Sequence, residues 1–153
     1  MLSRPAFYFA CPCRLTDVNF LPATTGETEL GQSLTGKCWC RVSEFTHTGG
    51  VRFTIRCYCR DCQHISGGGH LPQVAVSRDR LTRSANIQTY RRKSASGHDL
   101  AFSFCKSCGS PLFKSTSMAQ ETVFLCAGAL EDLPDISVEN DVFEDCRQSW
   151  DKG

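Results

Sequence analysis

Three short cysteine clusters constrain this chain more than anything else in it: Cys38-Trp39-Cys40, Cys57-Tyr58-Cys59-Arg60-Asp61-Cys62 and Cys105-Lys106-Ser107-Cys108-Gly109. Thiols two or three residues apart at a strand end or turn can converge on one ion, and the turn offers backbone N–H groups to the bound sulfurs. Glycine after Cys108 suits a tight turn there. The clusters read as zinc knuckles. Their count is the informative part, because seven thiols divide as four plus three. A structural zinc takes four protein ligands, whereas a working zinc keeps one position for water or substrate. If the first and third clusters close one tetrahedral site, Cys57, Cys59 and Cys62 are left as a trio with an open position. Spacing does not fix this partition, since a pair from the middle cluster could join either of the others, and a single structural zinc with a spare pair would also satisfy the pattern.

The chain has eleven cysteines in 153 residues, an excess that means either disulfides or metal. The N-terminal MLSRPAFYFACPC has a single arginine and an uncharged run of nine residues, Pro5 to Cys13, interrupted by two prolines and without a small-residue cleavage pattern. It does not read as a signal peptide. Nothing approaches the roughly 20 apolar residues of a membrane helix. A reducing, cytoplasmic location is therefore expected, in which the clustered thiols serve as metal ligands. With 17 Lys plus Arg against 16 Asp plus Glu, no whole-molecule field points to nucleic acid or a membrane as partner.

The length suits one domain, able to bury about two-thirds of the surface its unfolded chain exposes. Residues 22–36, PATTGETELGQSLTG, read as a linker or surface loop. The organisation expected is an N-terminal extension over residues 1–33 and a zinc-binding domain over 34–153. Residues 42–47 and 51–56 flank Thr48-Gly49-Gly50 and predict a hairpin. The runs 71–77, 87–90, 100–104, 111–115 and 122–128 are short and rich in β-branched or aromatic residues, and no long segment has a 3.6-residue apolar period. A mainly β fold follows, with short helical turns near 61–65 and 128–133.

The order TGKCWC, CYCRDC, FCKSCGSPLF and then GALED resembles the glutathione-dependent formaldehyde-activating (Gfa) family, S-(hydroxymethyl)glutathione synthase-like proteins of Mss4-like fold. The resemblance runs from about Leu34 to Trp150 and rests on the combination of spacings rather than on any one knuckle. It implies a mainly β fold of short antiparallel strands that holds two zinc ions. Cys38, Cys40, Cys105 and Cys108 would bind the structural one, and Cys57, Cys59 and Cys62 the catalytic one. The implied activity is that of a carbon–sulfur lyase that joins a glutathione-like thiol to formaldehyde or another small aldehyde. A non-enzymatic interaction module of the same fold is the alternative. A methionine sulfoxide reductase-like redox enzyme would need Cys126 exposed and acidic, and its apolar neighbours Phe124, Leu125 and Ala127 argue against that. Three positions depart from the family pattern and bear on substrate identity: Tyr58 for a common His, Gln63 for a common Arg, and Asp135-Ile136 for a common His-Ile.

Other residues have two readings. His64 and His70 flank Ile65-Ser66-Gly67-Gly68-Gly69, and one of them would serve as a proton shuttle or an occasional fourth metal ligand, or both are solvated loop residues. Arg78, Arg80, Arg83, Arg91, Arg92 and Lys93 would either grip substrate carboxylates or form a solvated face. His47 and His98 fall in turns and are given no role. Cys126 reads as a buried small hydrophobe, Cys146 has no knuckle partner, and Cys11-Pro12-Cys13, outside the matched region, either belongs to a loosely held N-terminal extension or completes a metal site, even blocking the open position. Trp39 and Trp150 are expected to pack at the core edge.

Overall fold

The computed structural model describes residues 33–94, 96–131 and 137–152. Cys11, Cys13, most of the linker and Asp135-Ile136 lie outside the described residues. The strands are β1 (Ser33–Lys37), β2 (Glu44–Thr48), β3 (Phe53–Cys57), β4 (Leu71–Ser77), β5 (Leu81–Arg83), β6 (Ile87–Lys93), β7 (Asp99–Cys105), β8 (Pro111–Thr116), β9 (Thr122–Cys126) and β10 (Asn140–Val142). One α-helix, α1 (Arg60–Ser66), follows β3. The fold is mainly β, as the sequence predicts.

Two sheets form. The larger runs β10-β3-β4-β9-β8-β7-β6 and the smaller β1-β2-β5. Neighbours are antiparallel except β10, which lies parallel to β3. The expected hairpin across Gly49-Gly50 does not form. Both of its strands exist, but β2 pairs with β1 and β5 while β3 pairs with β4 and β10, so the chain crosses there from one sheet to the other. The reason is packing: Phe45 of β2 lies opposite Gly36 of β1, where any Cβ would overlap the Phe45 ring. That same Phe45 ring meets Phe113 of β8 edge-on at 5.8 Å, seating the small sheet on the large one. A glycine in a stretch that reads as linker thus belongs to a strand.

β9 is buried at all five positions, as befits a central strand covered on both faces. Residues directly opposite one another share a sheet face. The pairings Cys57↔Leu71, Ile55↔Gln73, Gln73↔Cys126, Ala75↔Phe124, Phe124↔Lys114 and Lys114↔Phe102 therefore trace one face across five strands. Phe113 and Leu125 lie on the other, beneath the small sheet. No helix among the described residues is long and apolar enough to cross a membrane.

Candidate metal centres

The structure brings all seven clustered cysteines into two groups, divided four and three. Cys38, Cys40, Cys105 and Cys108 form one and Cys57, Cys59 and Cys62 the other. Within each group the sulfurs lie within 4.8 Å of one another. Among the described residues no histidine or carboxylate joins either group.

The four-sulfur group joins the turn after β1 to the turn after β7. Arg41, with φ 63°, and Gly109, with φ 75°, are the left-handed residues that let these turns close. Cys38 Sγ lies 3.4 Å from Cys40 Sγ, and Cys40 Sγ lies 3.7 Å from Cys105 Sγ. Backbone donors face the sulfurs, the Ser43 amide on Cys38 Sγ at 3.2 Å and the Ser107 amide on Cys105 Sγ at 3.3 Å. Asn86 crosses between the turns, its Nδ2 donating to Ser43 Oγ and Ser107 Oγ. Bonds from the Ser110 hydroxyl and from backbone amides pull the exposed Cys108 thiol down to about 5. The backbone at Val42 favours the Cys40 thiolate, but the crowding sulfurs of Cys38, Cys108 and Cys105 outweigh it and push Cys40 up to about 12. Such a set, in which one thiol ionises and its neighbour then resists, fits a cation that would relieve the repulsion.

The three-sulfur group is built differently. Cys57 ends β3, Cys59 is the N-cap of α1, and Cys62 lies in its first turn. Cys57 and Cys62 are fully buried and Cys59 half-buried. Each thiol is pushed up to about 11. For Cys57 and Cys62 the hydrogen-bonding thiol partner is the main cause. For Cys59 the Cys57 contact favours ionisation, but Cys62 and burial outweigh it. The trio cannot ionise together without positive charge nearby. Part of that charge is already in the chain, since Lys114 Nζ of β8 sits 3.1 Å from Cys62 Sγ. Burial works against the Lys114 charge, but the negative potential of Cys62, Cys57 and Cys59 overrides it and raises Lys114 above the usual lysine range. A soft, all-sulfur donor set of three converging atoms suits a zinc-type ion with a position to spare.

Polar contacts fix the trio from behind. Gln63, buried at the position after the triplet, donates from Nε2 to the carbonyls of Tyr58 at 2.5 Å and Cys146 at 2.9 Å. Its Oε1 accepts from Arg60 Nη1 and from Gln148 Nε2. Gln63 therefore ties the triplet loop to the C-terminal segment. Tyr58 is fully buried, its ring tilted against His70 at 5.3 Å and under the Arg147 guanidinium at 4.8 Å. Arg92 of β6 reaches Asp61 at 3.0 Å, anchoring the start of α1.

The remaining candidates separate clearly. His64 is exposed and His70 pairs through Nδ1 with Asp151 at 2.6 Å, so neither joins the sulfurs. His47 is buried, with Nε2 against the Ser77 carbonyl at 3.1 Å. Cys126 is buried and pushed up to about 12 by desolvation, which removes the redox-nucleophile alternative. Cys146 is disulfide-bonded rather than a free thiol. Trp39 and Trp150 do not pack at the core edge as expected, being 90% and 66% exposed. Lys93 pairs with Asp99 in solvent.

Sequence reasoning missed Lys114 and Gln73. Gln73 of β4 places Nε2 3.8 Å from Cys62 Sγ. The available signal was strand alternation: in Pro111-Leu112-Phe113-Lys114, Lys114 shares a face with buried Leu112, an unusual place for a cation.

Comparison with known proteins meets this geometry from the other side. Residues 33–146 match the sequence profile of the family described as glutathione-dependent formaldehyde-activating enzyme, GFA. The chain belongs to the GFA family. Among solved structures it is similar to the crystal structure of a Rhodobacter sphaeroides protein from a structural-genomics programme, with a TM-score of 0.53 at 18% sequence identity, over 66% of this chain and 91% of that one. At that identity the likeness supports the fold alone. No curated protein matches the chain. The GFA match begins with β1 and ends at Cys146, so it takes in both cysteine groups, Lys114 and Gln73.

Proposed function

We propose that this GFA-family chain is a zinc-dependent carbon–sulfur lyase that joins a thiol to a small aldehyde, with glutathione and formaldehyde as the pair its family points to. Cys57, Cys59 and Cys62 would hold the working ion, and Cys38, Cys40, Cys105 and Cys108 a structural one. The observation that carries this reading is the incomplete trio: three converging sulfurs, no fourth side-chain ligand among the described residues, and an ammonium 3.1 Å from one of them.

Zinc bound by the trio would supply the positive charge that lowers the pKa of an incoming thiol toward neutrality. The chain's own residues do the rest. Three thiolates and a divalent ion sum to one negative charge, which would repel an incoming thiolate. Lys114 offsets that charge from within contact distance of Cys62. The substrate sulfur attacks the carbonyl carbon, the C–S bond forms as the carbonyl π pair moves to oxygen, and the proton given up by the thiol ends on that oxygen. Thiol and aldehyde are thus conserved in one S-hydroxyalkyl adduct, and reversal cleaves the same bond. Lys114, on the sheet face beneath the trio, would stabilise the oxygen as it becomes negative. A small apolar cavity of about 80 Å³ is lined by Ile65 of α1, Phe102 and Phe104 of β7, Phe113 of β8 and Cys126 of β9.

The test is a comparison of serine variants. Cys57→Ser, Cys59→Ser and Cys62→Ser should each lose one equivalent of zinc and all acceleration of adduct formation over the uncatalysed reaction of glutathione with formaldehyde, while remaining folded. Full zinc content and activity in these variants would remove the proposal.

A further inference from the structure

The three-sulfur group has a second polar neighbour whose bonding is incomplete. Gln73 is 1% exposed in the middle of β4, between Ile55 on β3 and Cys126 on β9. Its Nε2 donates to the Leu71 carbonyl at 3.2 Å and faces Cys62 Sγ at 3.8 Å. The carbonyl of Leu71, which can only accept, fixes which end of the amide is the donor. Oε1 is therefore left as an acceptor, and no donor reaches it among the described residues. A buried acceptor without a partner is destabilising, and an apolar side chain in this strand would avoid that cost. Tyr58 Oη and His47 Nδ1 are also buried without a partner among the described residues, but of the three side chains it is Gln73 that touches a sulfur of the trio.

The proposed reaction, on which this inference rests, narrows what can meet such an acceptor. An aldehyde offers a carbonyl oxygen and no donor, and a thiol gives up its weak donor as it ionises. The S-hydroxyalkyl adduct alone carries a strong O–H donor, one carbon from sulfur. We infer that Gln73 is a specificity-determining residue, whose Oε1 accepts the hydroxyl of the adduct while Lys114 donates to the same oxygen. Lys114 and Gln73 share a sheet face and both reach Cys62 Sγ, at 3.1 Å for Nζ and 3.8 Å for Nε2. The donor serves the oxygen while it is a carbonyl or an anion, and the acceptor serves it once protonated. A site built to bond a hydroxyl rejects the analogue lacking it far more strongly than an apolar pocket rejects an extra hydroxyl, because the unmet group stays buried.

Calorimetric titration of the zinc-loaded protein with 2-mercaptoethanol and with ethanethiol tests this without turnover. The two thiols are of similar size and differ in the hydroxyl, which 2-mercaptoethanol carries one carbon further from sulfur than the adduct does, on a chain free to turn it back toward Gln73. The wild-type protein should bind 2-mercaptoethanol about tenfold or more tightly. In Gln73→Leu and Gln73→Met that preference should vanish, the affinity for 2-mercaptoethanol falling to that for ethanethiol. Equal affinities in the wild type would overturn the role of Gln73 and leave the thiol site standing, even if neither variant folded. A preference that survives in both variants would equally overturn it. Failure of the wild type to bind either thiol would count against the enzymatic reading itself.

Discussion

The two cysteine groups use the same ligand atom and are put together in opposite ways. The four-sulfur group sits at the surface, with Cys40 and Cys108 exposed, and is drawn from turns far apart in sequence; backbone amides and Ser110 satisfy its sulfurs. The three-sulfur group comes from one hexapeptide and is largely buried. Its polar neighbours are side chains, Lys114 and Gln73, that offer charge and bonding capacity beyond what the thiols use. A centre that cross-links distant turns and closes its own coordination holds a fold together. One that is local in sequence contributes little to chain closure, and its burial, which is costly for ionisable groups, points to chemistry.

The largest expected effect breaks the first centre. Cys105→Ser should lose one zinc and several kcal/mol of stability, since structural zinc contributes folding free energy directly; thermal unfolding with metal analysis would read it. Cys62→Ser should lose the other zinc and all acceleration of adduct formation over the uncatalysed rate, with a much smaller shift in melting temperature. If the two variants were destabilised equally, the division of labour would be wrong. Next in size, Lys114→Met should weaken exogenous thiolate binding about tenfold, followed through the sulfur charge-transfer absorption of cobalt-substituted protein. Lys114→Arg should restore much of it, an outcome that packing alone would not give.

Acid should separate the centres in a smaller way. Burial of His47 in β2 is the main force holding its imidazole below the usual histidine range. The unfolded chain therefore binds more protons than the folded one as pH falls below about 6.5, and stability should decline from there downward. β2 belongs to the small sheet whose β1–β2 turn carries Cys38 and Cys40. The four-sulfur centre should accordingly release its ion at a higher pH in the wild type than in His47→Gln, as followed by zinc release to a chromogenic chelator.

Much of this was legible in the sequence. β4 spans the predicted 71–77, and α1 falls on the turn expected around 61–65. The four-plus-three division was visible in the spacings but stayed ambiguous, because convergence of Cys38 with Cys105 depends on how β1 and β7 are placed. Strand partners were harder. The Gly49-Gly50 signal marks a reversal, yet the choice between pairing β2 with β3 or with β1 is decided by Phe45 folding over Gly36, a side-chain contact that no turn signal encodes. β5 and β10, three residues each, are too short to carry a period. Lys114 and Gln73 look like ordinary strand residues until the register puts them on one face under Cys62.

The central claim is that one centre is closed by protein sulfur and the other is not. X-ray absorption at the zinc edge of Cys105→Ser, in which the three-sulfur centre alone should keep its metal, tests it most directly. Three sulfur neighbours and one lighter atom are expected, changing to four sulfurs when a thiol is added. Four sulfurs before any thiol is present, or no change after it, would contradict the account.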